Sequence, residues 1–513
     1  MNIFRVFGTL PHICQRLLKR PQNLFTSNQP SPYCQFNEDT VMLCDSNIQR
    51  MKLLLKDTAT SSSSVSVESK TKLLCSIYLQ LKSQEKADFL RHLVMNYGVN
   101  HSSVQKCARS FLSSQEQGES SRIKAEENLR SSLTPYYIGL FGHIGRLEGG
   151  VKFLVDLRKD VLYLLSMLEP NKSIAPNIKA LNKTLRDLLS LWFSAGFMRL
   201  QRVTWDSSCD MLQKISEYEA VHPVRSWGDL KLRVGPYRRC YVFTHSSMPK
   251  EPIVVLHTAL TTEISTSIQS IVNHAHLQLE EKLFQPLSKD VVEDPKNIHA
   301  AVFYSISSTQ KGLQGIELGT QLIKQAVKDV LAEFPRISLF STLSPVPGFR
   351  DWLLLELSKD ERGALLSSFF LTDEEYTSLK DHLCKNNAVS VREQILEMLK
   401  SNQWLQDANL SELLKVPFMR LCAQYLYREK RRGYALNSVA HFHLRNGACI
   451  WRLNWLADKS PRGLTSSCGI MVNYRYFLEA TEINSQRYIE KQHVEASEQF
   501  LHLLGLSHHK SSL

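Results

Sequence analysis

Residues Gln310 to Phe349 constrain this chain more than any other stretch. The strand-forming run Ala300 to Ser307 leads to Gly312, Gly315 and Gly319, and an amphipathic segment from Thr320 to Phe334 follows. Ile337 to Leu343 then reads as a second strand, ending in the turn Ser344-Pro-Val-Pro-Gly. Glycines let a backbone come close to an anion, and the free amides at a helix N-terminus bind phosphate oxygens with the help of the helix dipole. Pro345 and Pro347 each fix φ and stiffen the turn that presents Ser344. This order predicts a mixed α/β domain that holds a phosphate-bearing cofactor or substrate. The glycine spacing matches neither the dinucleotide fingerprint nor the P-loop.

A chain of 513 residues is too long for one ordinary domain. It carries 62 basic and 50 acidic residues, a net +12, which suits a polyanionic partner. The excess is spread along the chain, the densest run being Arg428 to Arg432, and no RNP-like motif, zinc spacing or basic zipper accompanies it. Nucleic-acid binding is therefore not expected. The 11 cysteines form no C-x-x-C pair, which argues against a disulfide framework or zinc ribbon. Cys209, in the polar context Trp205 to Asp210, is the thiol open to an intermolecular bridge. No apolar stretch reaches the roughly 18 to 20 residues of a membrane span.

Met1 to Asn37 contains no acidic residue and interleaves Arg5, Arg16, Lys19 and Arg20 with apolar side chains. Residues 1–39 therefore resemble a mitochondrial targeting segment, with Met42 as a second start that would omit it. The C-terminal Ser-Ser-Leu is close to a peroxisomal signal but lacks its basic middle residue. A matrix location is expected, with peroxisomal and cytoplasmic forms open. Ser-rich Thr58 to Ser66 reads as a loop or hinge. Leu73 to Leu93 is helical in spacing. Val151, Leu154, Leu157, Val161, Leu164, Leu165 and Leu168 form one helical stripe, and Leu181, Leu185, Leu188, Leu189, Trp192 and Phe193 a second. Residues 40–193 are thus a helical domain given to packing or assembly.

After Trp205 the texture changes. Runs at Cys240, Ile253, Ala300, Ile337 and Cys449 are short, β-branched and aromatic, with helical segments between them. The fold class is all-helical followed by mixed α/β over residues 194–513. His274 to Lys296 reads as an exposed insertion, and Leu371 to Arg420 as helical.

Gln314 to Leu322 resembles the Arg/Gln-Gly-x-Gly-x-Gly/Ala-x-x-Leu signature of the GNAT acetyltransferases, with Glu317 in place of the middle glycine. Further blocks extend the likeness: Gly145 to Leu154, Gly235 to Cys240, Phe340 to Phe349, Gly433 to Asn437, Phe442 to Ala448 and Asn473 to Leu478. Together and in this order they resemble the malonyl-CoA decarboxylase family. That resemblance implies a helical oligomerisation domain, with a homotetramer expected, and an acetyltransferase-like catalytic domain. It also implies malonyl-CoA as substrate, acetyl-CoA as product and no cofactor.

The resemblance assigns Ser344 as the catalytic serine, His443 as the proton donor, and Glu317 and Tyr476 as their partners. It places malonyl-CoA on Gln314, Gly315, Ile316, Glu317, Leu318, Gly319 and Thr320, together with Ser344 and His443. The residues alone leave His441 open beside His443, since two positions apart on a strand share a face. The chemistry needs no metal, because the thioester carbonyl is the electron sink. Donors must hold the developing enolate oxygen, and an acid must deliver a proton to carbon. An acyl-CoA-dependent N-acetyltransferase and a CoA-binding helical scaffold are the competing readings.

Overall fold

The computed structural model describes residues 46–60, 64–114, 118–169, 173–272, 293–359, 371–383 and 391–506. The targeting segment, Met42, the C-terminal Ser-Ser-Leu and most of the 274–296 insertion lie outside them. Described residues up to Phe197, with His245–Pro249 and Gln310–Ile316, form one compact unit. Described residues of Met198–Thr244, of Lys250–Thr309 and from Glu317 onward form a second.

The first unit is helical: α1 (Asn47–Thr60), α2 (Ser64–Gln80), α3 (Ser83–Asn96), α4 (His101–Ser113), α5 (Glu119–Ser132), α6 (Tyr137–Gly145), α7 (Gly150–Met167) and α8 (Ala175–Trp192). The two stripes seen in the sequence are its core. Leu154, Val161, Leu181, Leu185 and Leu189 have no exposed surface, and each such aliphatic side chain contributes about 2 kcal/mol of burial. The Ser-rich stretch is mostly not a loop, for α1 runs to Thr60 and α2 starts at Ser64. Thr58 satisfies its hydroxyl inside the helix on the Leu54 and Leu55 carbonyls, and buried Leu54, Leu55, Val67 and Leu74 supply the packing that polar composition concealed.

Segment 310–316 lies against α7 of this unit. A Cβ at Gly312 would overlap the Val155 carbonyl, and buried Arg158 donates to the carbonyls of Gly312 and Gln314. Gly312 is thus required by close approach.

In the second unit, β1 (Met198–Val203), α9 (Cys209–Tyr218), α10 (Trp227–Arg233), β2 (Arg238–His245), β3 (Val254–Thr261), α11 (Ile268–Val272) and β4 (Ala300–Ser308) come first. Next are α12 (Gly319–Glu333), β5 (Leu339–Thr342), β6 (Ser344–Pro345), α13 (Phe349–Lys359), α14 (Asp373–Leu383), α15 (Val391–Ser401) and α16 (Ala408–Tyr427). The chain closes with β7 (Lys430–Arg431), β8 (Tyr434–Ala435), α17 (Ser438–Arg445), β9 (Cys449–Asn454), α18 (Pro461–Ser467), β10 (Met471–Tyr476), α19 (Thr481–Lys491) and α20 (Glu498–Leu503). The main sheet runs β1-β2-β3-β4-β5-β10-β6, with β9 on the other edge of β10. Strands β4 and β5 are parallel, as a helical crossover through α12 requires. Buried Arg239 on β2 pins the end of α12 by pairing with Glu333.

The break between β5 and β6 positions the site. Phe340 and Ser341 pair with Tyr476 and Arg475, and Ser344 and Pro345 pair with Val472 and Met471. The register is the same on both sides, so the sheet opens locally without slipping. At the opening the Tyr474 amide donates to Thr342 Oγ1 at 3.2 Å instead of to a carbonyl, and Asn473 Nδ2 takes the Thr342 carbonyl at 2.8 Å. Directly opposed residues share a face, which puts Thr342, Ser344, Tyr474 and Tyr476 on one side of the sheet.

Candidate active site

Helix α17 brings His443 onto that face. Its N-cap is Asn437, whose Oδ1 accepts from the Ala440 amide at 2.9 Å and whose Nδ2 donates to the Pro347 carbonyl at 2.8 Å. One side chain therefore starts the histidine helix and holds the proline turn that follows Ser344. Tyr425 donates to the same carbonyl at 3.1 Å. At the other end Gly447, with φ +79°, closes α17, and the Ala448 amide returns to the His443 carbonyl at 3.0 Å.

Because residues 438–445 are helical and not a strand, His441 and His443 point about 200° apart. His441 Nδ1 lies 2.9 Å from the Tyr488 hydroxyl, while His443 Nε2 lies 3.2 Å from Ser344 Oγ. Geometry alone now separates the two histidines. His443 Nδ1 is 2.8 Å from the Tyr476 hydroxyl, and Ser344 Oγ is 2.9 Å from Thr342 Oγ1. The result is a continuous chain, Thr342–Ser344–His443–Tyr476, and every member is buried. Tyr474 stacks on the His443 ring at 4.5 Å, and its own hydroxyl has no partner among the described residues.

Burial pushes His443 down to about 3 and raises the Tyr476 phenol well above its ordinary value. His443 is therefore a neutral imidazole at neutral pH. His257, also fully buried, is pushed down to about 4, chiefly by desolvation, with nearby Glu219 opposing the shift. Both rings have folded-state values below the ordinary histidine value near 6.5, so the unfolded chain binds more protons in that interval. Their contribution to stability is complete above about pH 6.5 and is lost as pH falls toward 3 to 4, on the order of 3 kcal/mol for His257 and about 5 kcal/mol for His443. Urea midpoints should hold between pH 7.5 and about 6.5 and fall from there to pH 4.5; a profile flat throughout would contradict neutral burial of both rings.

The expected acyl-CoA loop divides between the units. Gln314, Gly315 and Ile316 belong to the first, and Gly315 has φ +78° with open space at its Cβ position. Glu317, Leu318, Gly319 and Thr320 belong to the second, where Leu318 is the N-cap of α12 and its side chain makes no cap hydrogen bond. Thr320 Oγ1 donates to Asn446 Oδ1 at 2.6 Å. The exposed Glu317 carboxylate pairs with Arg445, two residues beyond His443, and makes no hydrogen bond to the Ser344–His443–Tyr476 chain. Cys209 is exposed at the first residue of α9. Among the described residues no cluster of His, Cys, Asp or Glu could hold a metal.

Sequence reasoning passed over Thr342, Asn437 and Tyr474. Asn437 carried a readable signal, an N-cap residue just before a helix-forming run. Thr342 and Tyr474 carried none, since each acts through strand pairing.

Serine, histidine and tyrosine in one buried hydrogen-bonded chain on one face of a mixed sheet are the groups that proton-transfer chemistry uses, which points to the class of enzymes. Residues 97–193 match the model of the malonyl-CoA decarboxylase N-terminal domain and residues 196–512 that of the malonyl-CoA decarboxylase C-terminal domain. The chain is 48% identical over 440 residues to the mitochondrial malonyl-CoA decarboxylase of Rattus norvegicus, covering 84% of both proteins. It is 47% identical to that of Mus musculus over 84% of both. The crystal structure of malonyl-CoA decarboxylase from Rhodopseudomonas palustris is similar with a TM-score of 0.73 at 29% identity, over 90% of this chain and 99% of that one. The chain belongs to the malonyl-CoA decarboxylase family, and its enzyme class is that of the carbon–carbon lyases.

Proposed function

We propose that this enzyme converts malonyl-CoA to acetyl-CoA and CO2 at the Ser344–His443–Tyr476 chain, in a mitochondrial form. The observation that carries the reading is the 3.2 Å contact between Ser344 Oγ and His443 Nε2 in a water-excluding setting, 99 residues apart in sequence. Ser344 meets the malonyl carboxylate and orients it across the plane of the thioester. When the C–C bond breaks, its electron pair stays on the α-carbon and spreads into the thioester carbonyl. The α-carbon then takes a proton from His443 Nε2. A thioester enolate is basic enough to accept it from a neutral imidazole, and neutral imidazoles serve as electrophilic donors in other enzymes. The Tyr476 hydroxyl on Nδ1 steadies the ring as the proton leaves, and one proton is drawn from solvent per turnover. The N-terminus of α12, with Gly319 and Thr320, receives the CoA pyrophosphate, and Glu317 orients the acyl end through Arg445.

Incubation with malonyl-CoA alone should yield acetyl-CoA and CO2, and Ser344→Ala should lower kcat by about a hundredfold. A protein that turned over acetyl-CoA only when given an amine would instead be an acetyltransferase. We also propose that residues 1–39 are a targeting segment, 40–193 an assembly domain and 194–513 the catalytic domain. The assembly is a homotetramer with Cys209 available to bridge subunits, properties read from solution mass with and without reductant. Peroxisomal and cytoplasmic forms follow from the second start and the C-terminal tripeptide, and cell fractionation reads them.

A further inference from the structure

Thr342 is fully buried, and its hydroxyl oxygen sits where the sheet opens. One lone pair accepts the Tyr474 amide at 3.2 Å, and Ser344 Oγ approaches the same atom at 2.9 Å. The backbone is locked around it, since the Thr342 carbonyl accepts from Asn473 Nδ2 at 2.8 Å. The position of Thr342 Oγ1 is therefore set by the strand pairing itself, not by a free rotamer. Ser344 has two polar neighbours within reach, Thr342 Oγ1 and His443 Nε2. A hydroxyl has one proton, so which neighbour receives it decides which nitrogen of the neutral ring carries hydrogen.

We propose that Thr342 is a positioning residue for the decarboxylation, accepting the hydrogen bond that the Ser344 hydroxyl donates and so holding His443 as the Nε2–H tautomer. With the Ser344 O–H directed at Thr342 Oγ1, a Ser344 lone pair faces Nε2–H, and Nδ1 accepts from Tyr476. This is the tautomer that can give a proton toward the substrate side of the ring. When a carboxylate enters, the Ser344 hydrogen turns to it by rotation about the Cβ–Oγ bond, with no heavy atom moving. The inference rests on the assignment of Ser344 and His443 above.

Thr342→Val keeps shape and removes the acceptor, while Thr342→Ser keeps it. The valine variant should lose about tenfold in kcat with KM little changed, the size expected for one hydrogen bond in a relay. The serine variant should recover to within about threefold of the parent. In a Ser344→Ala background the valine change should have no further effect on kcat, because the two residues act in series. An additive loss in that background, or full activity in Thr342→Val, would overturn the proposal. If Ser344→Ala itself kept full activity, the assignment beneath it would be the part that fails. Should the valine variant not fold, Thr342→Ala, which puts no apolar methyl against the Tyr474 amide, gives the same comparison.

Discussion

His443→Asn should fold and lose about 10²- to 10⁴-fold in kcat, the range for removing a positioned acid. Asparagine can still bond Ser344 but has no ring to pass a proton between Tyr476 and the site. The loss should appear in kcat more than in KM, because in the proposed role the imidazole gives its proton in the transition state and not on binding. The pH dependence is a second check. Since burial holds His443 near 3 in the free protein, kcat/KM should show no acid limb at an ordinary histidine value of about 6.5. A limb centred there, lost in His443→Asn, would mean that the ring is charged in the free enzyme.

The second large effect is structural. Gly447→Ala should destabilise the protein by about 3 kcal/mol or more, read as a fall of several degrees in Tm. Two causes add: φ is +79°, and the new Cβ would overlap the Thr481 carbonyl at the start of α19. Relief requires α17 to move, and α17 carries His443, so activity should fall with stability. Gly315→Ala separates the causes. Its φ of +78° is equally left-handed but its Cβ would meet open space, so only the backbone term of about 1 kcal/mol should appear. Equal losses in both variants would show that the contact with Thr481 does not matter.

The helical stripes around Leu154 and Leu185, the strand runs and the proline-stiffened turn at Ser344 were readable because each depends on local periodicity or on fixed φ. The order of the sheet was not, since β10 reaches β5 and β6 from more than a hundred residues away and nothing local marks the pairing. His443 shows the same limit from the other side. Alternating His441 and His443 fits a strand as well as a helix, and only the Asn437 cap decides between them. The Ser-rich stretch misled for the converse reason, because a weak local preference gave way to buried leucines elsewhere in the unit. The depressed basicity of His443 was invisible in the sequence, since it comes entirely from what encloses the ring.

The pairing of β10 between β9 and the broken β5–β6 edge has a consequence for synthesis. β10 is the last strand of the main sheet in chain order, yet it fills an inner place. A ribosome therefore releases β5 and β6 well before their partner exists, and their edges stay open until residue 476 has emerged. Ser344 and Tyr476 are joined through His443 only at that step, so the buried hydrogen-bonded chain forms at once and late. Nascent chains halted before β10 would carry the whole helical module, no Ser344–His443–Tyr476 chain and an unpaired strand edge available to other chains.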